Sequence, residues 1–316
     1  MIITDTHTHL YSEAFQDDRD AMIQRALDAN VKRFFVPAID STYTSSMFEL
    51  QDAYPDHVHL MMGLHPTHVK EDYERELEHV VNMLDRRHFV AIGEIGIDLY
   101  WDKSTLDIQK KAFEFQIRLA KKNKLPIVIH CRDAFDEIFE VLETEKDDDL
   151  YGIFHCFTGT LEQARTAMSF QMKLGIGGVV TFKNGKIDQF IDQIDLENIV
   201  LETDSPYLSP KPFRGPTNSA AASKPALKAA STLPENTGTP TPKTQTLASF
   251  KWMPATPSTK AAALPCYGWP ATNGPPEPAL PSSAIVITPS SSSTPSTMSS
   301  RPCTAKSESP RAAPSQ

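Results

Sequence analysis

Eight short apolar runs rich in β-branched residues, most followed by a longer amphipathic stretch, constrain this chain more than any other feature. The runs are Ile2–Thr6, Arg33–Ala38, His59–Leu64, Phe89–Gly93, Pro126–His130, Gly152–His155, Met172–Gly175 and Ile199–Thr203. Their length and composition predict β-strands. Between them apolar residues recur at the helical period: Phe113, Ile117 and Ala120; Phe135, Ile138, Phe139 and Leu142; Val80, Val81 and Leu84. Phe190 and Ile194 pair at i, i+4. Ser104-x-x-Asp107 and Thr160-x-x-Gln163 have the form of capping boxes. Strand and helix alternating eight times predict a parallel (β/α)8 TIM-like barrel, with a doubly wound open sheet as its main rival.

The polar residues of these runs collect at one end of each. His7 and His9 end the first, and at spacing i, i+2 they leave one face of a strand. His65 follows the third, while Glu94 ends the fourth, His130 the fifth, His155 the sixth and Asp204 the eighth. Barrel enzymes build their sites at the carboxyl ends of the strands. Singly, each has an ordinary reading: a histidine packed after a strand, an acid capping a turn. Jointly, His7, His9, Glu94, His130, His155 and Asp204 place six ligand-type side chains on five strands. One zinc takes three or four protein ligands. Six therefore predict two divalent ions, Mg, Mn or Zn, about 3.5–4 Å apart, with Glu94 the best residue to bridge them. Such a pair suits an anionic substrate such as a phosphate ester and makes hydroxide available near neutral pH.

The motifs His7-Thr8-His9-Leu10, Gly63-Leu64-His65-Pro66, Gly93-Glu94-Ile95-Gly96-Ile97-Asp98, His130-Cys131-Arg132-Asp133-Ala134, His155-Cys156-Phe157-Thr158-Gly159 and Glu202-Thr203-Asp204-Ser205-Pro206-Tyr207-Leu208 occur in that order. With them, residues 1–215 resemble the TatD family of metal-dependent deoxyribonucleases, within the amidohydrolase-like barrels. The resemblance implies a phosphodiesterase acting on DNA, trimming single-stranded ends from the 3′ side. It also implies that His7, His9 and Asp204 hold one ion, His130 and His155 the other, and Glu94 both. His65 and Arg132 then face the substrate phosphate, for which the planar guanidinium is well suited. Asp98 is expected to orient a ligand or water, and Asp204 to double as proton acceptor. Two other readings remain: a hydrolase of C–N or ester bonds, of deaminase or lactonase type, and an inactive metal-binding product of a damaged gene.

Residues 1–215 carry 23 Lys and Arg against 37 Asp and Glu. So acidic a body argues against affinity for a long duplex through many phosphate contacts. Recognition centred on the metal site, at short or single-stranded DNA ends, is expected instead. The basic run Lys121, Lys122 and Lys124 reads as a solvated helix end. Cys131 and Cys156 read as small buried residues beside histidines rather than as thiolate ligands. No signal peptide or membrane-length apolar run is evident, so a cytoplasmic protein is expected.

Composition changes abruptly at Pro216. Residues 216–316 hold 18 of the 25 prolines, 31 Ser and Thr, 17 Ala and three acids. This predicts a disordered low-complexity tail. The resemblance implies that an Asn-Glu pair and helices covering strand 8 should follow Arg214-Gly215, but the chain reads Pro216-Thr217-Asn218-Ser219. A frameshifted reading of the gene would account for the break, and a genuine extension replacing the terminal helices is its rival. A barrel lacking its usual C-terminal helices would leave strand 8 uncovered where it meets strand 1.

Overall fold

A computed structural model describes residues 2–183 and 185–212. The tail at 216–316, with Cys266, Cys303 and its possible origin by frameshift, lies outside the described residues. All eight predicted strands are present: β1 (Ile3–Asp5), β2 (Val31–Pro37), β3 (Val58–Met62), β4 (Ala91–Asp98), β5 (Ile127–Arg132), β6 (Gly152–Phe154), β7 (Met172–Ile176) and β8 (Ile199–Leu201). Each pairs in parallel with the next, in the order β1 to β8. The last strand meets the first: Thr6 N–H donates to Leu201 O at 3.0 Å, and Asp204 N–H donates to His7 O at 2.9 Å. The buried Asp5 carboxylate adds bonds from Thr203 N–H at 3.0 Å and Thr203 Oγ1–H at 2.6 Å. The sheet is therefore a nearly closed eight-stranded barrel, not an open doubly wound sheet.

Six α-helices cover it among the described residues: α1 (Arg19–Asp28), α2 (Thr44–Ala53), α3 (Tyr73–Leu84), α4 (Leu106–Asn123), α5 (Phe135–Thr144) and α6 (Leu161–Ser169). Phe113, Ile117 and Ala120 of α4 and Ile138 and Leu142 of α5 are buried, as their period requires. The Thr160–Gln163 capping box is formed at the start of α6. No helix among the described residues is long and apolar enough to cross a membrane.

Three expectations need correction. The Phe190–Ile194 pair does not mark an α-helix; β7 and β8 are joined by short 3-10 turns at 178–181, 186–189, 191–193 and 196–198. Two apolar residues at i, i+4 are too few to nucleate a helix beside Gly177, Gly178 and Gly185. Ser104 does not cap α4, because Asp102 Oδ1 accepts both its N–H at 2.9 Å and its hydroxyl at 2.6 Å. Thr105 takes the cap position without a side-chain bond to the first backbone N–H groups of the helix. Finally, Glu94 and His130 do not end their strands. β4 continues to Asp98 and β5 to Arg132.

The extra length of β4 bears on the site. Gly93 pairs with Val128 and Ile95 with Ile129, so Glu94 is an additional residue in the ladder. A bulge of this kind re-aims a side chain and is common next to active sites. Gly96 follows with φ 138°, and a β-carbon there would lie 2.1 Å from His130 O. Only glycine allows β4 to pass His130 so closely after the bulge.

Candidate metal centre

The barrel mouth gathers all six expected ligands. Glu94 lies at its middle, 2 % exposed, and its two carboxylate oxygens face different side chains. Oε2 is 3.1 Å from His7 Nε2 and 3.8 Å from His9 Nε2. Oε1 is 2.8 Å from His130 Nδ1, 3.3 Å from His65 Nε2 and 3.7 Å from His155 Nε2. Asp204 Oδ1 lies 3.6 Å from His9 Nε2, 3.8 Å from His7 Nε2 and 3.8 Å from His155 Nε2. Four groups of donors within 4.8 Å of one another result among the described residues: His7, His9 and Glu94; His7, His155 and Asp204; His65, Glu94 and His130; and, behind His155, His155, Cys156 and Glu202.

The partners of the outward ring nitrogens show which atoms are free to ligate. Tyr11 Oη–H donates to Pro37 O at 3.0 Å, so its oxygen accepts from His9 Nδ1–H, also at 3.0 Å. In the neutral ring the lone pair of His9 is then on Nε2, facing the carboxylates. Asp98 Oδ2 lies 2.9 Å from His130 Nε2 and leaves Nδ1 to face Glu94. His155 Nδ1 lies 3.2 Å from Glu202 Oε1, an ion-pair contact off hydrogen-bond geometry. Carboxylates behind ligand histidines commonly fix the tautomer in this way.

His65 differs from the others. Its Nδ1 accepts the N–H of Thr67 at 3.2 Å, so that nitrogen carries the lone pair and the ring proton resides on Nε2. The atom it turns to the centre is a donor. That suits it to an anion rather than to an ion shell.

Electrostatics follow the same geometry. Burial alone would raise the Glu94 carboxyl, but the imidazoles of His65, His7 and His155 and the bond from His130 hold it well below the usual range. Asp204 is likewise lowered against its burial, chiefly by His155 and His9. Burial opposes a charge on His155, yet Glu202, Glu94 and Asp204 push it up to about 10. Burial lowers His65 to about 4 and lowers His7 as well, the latter helped by the facing His155. His7 and His155 are stacked at 3.5 Å between ring centroids. Two imidazole nitrogens, His7 Nε2 and His9 Nε2, approach to 3.3 Å with two carboxylates alongside. Imidazole and carboxylate ligand atoms converging so closely in a buried site suit a divalent cation, so the donor set fits metal ions.

Arg132 lies at the rim, paired in register with Asp98. Among the described residues it forms no ion pair; its guanidinium instead lies 3.7 Å over the Tyr100 ring and 5.5 Å from that of Trp101. Burial raises the thiols of Cys131 and Cys156, the latter also raised by Glu202. The basic run is partly tied down, Lys121 bonding Glu145 O and Asp147.

The sequence reading gave no role to Glu202, Asp5 or Tyr11. Glu202 is 3 % exposed, and its Oε1 also accepts Cys156 N–H at 2.6 Å. Cys156 has φ 45°, a left-handed conformation costing on the order of 1–3 kcal/mol, which this bond helps to hold. A charged residue inside a buried strand run was the available signal, at Glu202 as at Asp5.

A family model described as TatD related DNase matches residues 4–244. The chain belongs to the TatD family of metal-dependent hydrolases. It is 39 % identical over 218 residues to an uncharacterized metal-dependent hydrolase, YabD, of Bacillus subtilis, covering 69 % of this chain and 85 % of that protein. It is 30 % identical over 212 residues to the 3′-5′ ssDNA/RNA exonuclease TatD of Pantoea ananatis, covering 66 % of this chain and 82 % of that protein. Among solved structures, the TatD homologue YjjV of Escherichia coli superposes with a TM-score of 0.67 at 30 % identity, covering 72 % of this chain and 88 % of the other. As a TatD-family barrel, the chain carries candidate metal-binding clusters of His, Glu and Asp at its mouth.

Proposed function

We propose that this chain is a two-metal phosphodiesterase that trims single-stranded nucleic-acid ends, DNA first, from the 3′ side. The observation that carries the reading is Glu94, whose Oε2 faces His7 and His9 while Oε1 faces His130 and His155. One carboxylate turned to two sets of imidazoles is suited to bridging two ions. His7, His9 and Asp204 would hold one ion and His130 and His155 the other. His155 Nε2 lies 3.7 Å from Glu94 Oε1 and 3.8 Å from Asp204 Oδ1, at the junction of the two sets. When bound, the ions supply Lewis acidity toward a phosphoryl oxygen and hydroxide at neutral pH.

The side chains do the remainder. His65 Nε2–H and the Arg132 guanidinium donate to non-bridging phosphate oxygens and orient the diester. Asp204, held ionised by its imidazole neighbours, accepts the proton of the attacking water. Asp98 fixes His130, and Glu202 fixes His155, so neither ring reorients during turnover. The name of the Pantoea relative supports a single-stranded substrate, as does the acidic body.

The test is a substrate panel for the full chain with Mg²⁺, Mn²⁺ and Zn²⁺. It includes single-stranded and duplex DNA, RNA, a lactone and an aminopurine. Stepwise shortening of a 5′-labelled single strand is expected. Turnover of the lactone or the amine with no cleavage of any nucleic acid would overturn the reading.

A further inference from the structure

Six large apolar side chains are exposed among the described residues, and the three aromatic ones all lie beside the metal centre: Tyr100, Trp101 and Tyr207. Tyr207 packs edge-on to His9, with 5.6 Å between centroids. Tyr100 and Trp101 follow β4 and meet edge to face at 4.9 Å and 89°. Scattered exposed aromatics need no explanation. These two are different, because a buried carboxylate positions them. Asp98 Oδ1 accepts the N–H of Tyr100 at 3.0 Å and of Trp101 at 3.3 Å, while its Oδ2 holds His130. One side chain thus sets both a ligand histidine and an aromatic shelf.

Arg132 completes the arrangement. The carbon of its guanidinium lies 3.7 Å from the centroid of the Tyr100 ring, an attachment that uses none of its five donors. Among the described residues no ion pair takes up these donors, which leaves them for an anion. Trp101 is 69 % exposed, so its ring is open to a planar ligand. An aromatic face beside a phosphate-seeking fork, next to a hydrolytic centre, matches a nucleotide: base on the ring, phosphate on the fork.

We infer that Tyr100 and Trp101, with Arg132 held against them, form a stacking seat for the unpaired nucleobase adjoining the phosphate to be cut. The inference rests on the phosphodiesterase reading and supplies the source of its strand preference. A base inside a duplex is stacked on its neighbours and presents no free face to Trp101. The acidic body offers few phosphate contacts, so affinity for a single strand comes largely from stacking, which tolerates any base and little depends on salt.

The test measures binding by the full chain, by anisotropy of 5′-labelled DNA and RNA single strands of one sequence, with EDTA present to prevent cleavage. A second pair of strands lacks the bases of its two 3′-terminal nucleotides. Trp101→Ala should weaken binding of the normal strands about ten-fold, and Trp101→Phe less than about three-fold. Removing the bases should weaken the unaltered chain by a similar factor and should not add to the Trp101→Ala loss. The ten-fold factor should persist between 50 and 200 mM salt, where a phosphate contact would fade. Equal weakening by Trp101→Ala on normal and abasic strands, or none on either, overturns the seat. DNA and RNA behaving alike is expected, since the base is the shared feature; a Trp101 effect on one alone assigns the seat to that nucleic acid. Strand binding with base dependence but no cleavage under any metal sinks the phosphodiesterase reading and leaves the seat. Cleavage with Trp101→Ala binding as tightly as the unaltered chain sinks the seat and leaves the phosphodiesterase. No binding of any single strand by the unaltered chain removes the seat. Because Trp101 is exposed, its replacement should leave the melting temperature unchanged.

Discussion

β4 and β5 on one side of the barrel, and β8 and β1 on the other, each bring candidate ligands to the same centre, but on walls of different build. β4 is buried at all eight positions and backed by the 18-residue helix α4. β8 and β1 are three-residue strands in which Val200, Leu201, Ile3 and Thr4 are only half-buried. In place of a helix, 3-10 turns lead into β8. The deep wall holds the strands β4 and β5 by packing, with Glu94 and Asp98 bonded to His130. The thin wall holds His7, His9 and Asp204 by polar bonds: Thr203 to Asp5, Asp204 N–H to His7 O, and His9 N–H to Ser205 O at 2.7 Å. Packing is indifferent to pH, whereas carboxylate bonds are not. The two walls should therefore respond differently to mutation and to acid or base.

Glu94 joins the two walls, and its loss should be the largest. Even an outer partner of a metal ligand is worth about ten- to hundred-fold in affinity, and a bridging ligand no less. Compounded over two ions, Glu94→Gln should lower kcat/KM by roughly 10³-fold, measured at fixed metal concentration, with the fold retained by circular dichroism.

The pH response of the thin wall comes next. Burial raises Asp5 to about 7, against the bonds it accepts from Thr203 and His7. A folded-state value above the unfolded one means that the contribution is complete below about pH 4 and lost as pH rises through 7. At about 1.4 kcal/mol per unit the swing is up to roughly 4 kcal/mol. Asp5→Asn keeps the acceptor oxygen and cannot ionise. Thermal melts of ion-free protein from pH 5 to 8 should show the unaltered chain losing more stability than the variant; parallel curves would remove Asp5 from the closure.

Asp98 and Glu202 provide a direct comparison between the walls. Asp98→Asn presents an N–H to His130 Nε2 and drives the ring proton to Nδ1, the atom facing Glu94. Metal affinity should fall about ten- to hundred-fold with little change in melting. Glu202→Ala should cost similar affinity and also about 1–3 kcal/mol of stability, because the half-buried Cys156 N–H loses its acceptor. Calorimetric metal titration beside thermal melts separates the two. The smallest effect belongs to the α6 cap, where Thr160→Ala should cost about 1 kcal/mol and leave metal affinity untouched.

Much of this was legible in the sequence because period and charge agreed. Eight β-branched runs gave eight strands, and His7, His9, Glu94, His130, His155 and Asp204 converge as their positions at strand ends suggested. What escaped the reading depends on contacts distant in the chain. The bulge at Glu94 exists only against Val128 and Ile129, so the full length of β4 could not be seen. Ser104 forms a capping-box pattern, but Asp102 claims its hydroxyl first. Asp5 and Glu202 are acids whose partners are nearly 200 and nearly 50 residues away. Trp101 and Tyr100 look like turn residues until Asp98 and Arg132 are seen beside them.

The direct measurement is the electron paramagnetic resonance spectrum and metal content of the full chain titrated with Mn²⁺. A Glu94-bridged pair spanning the two walls predicts two Mn²⁺ per chain with an exchange-coupled signal, and loss of that coupling in Glu94→Gln. One Mn²⁺ per chain at saturation, or two with the uncoupled six-line signal of isolated ions, would contradict it.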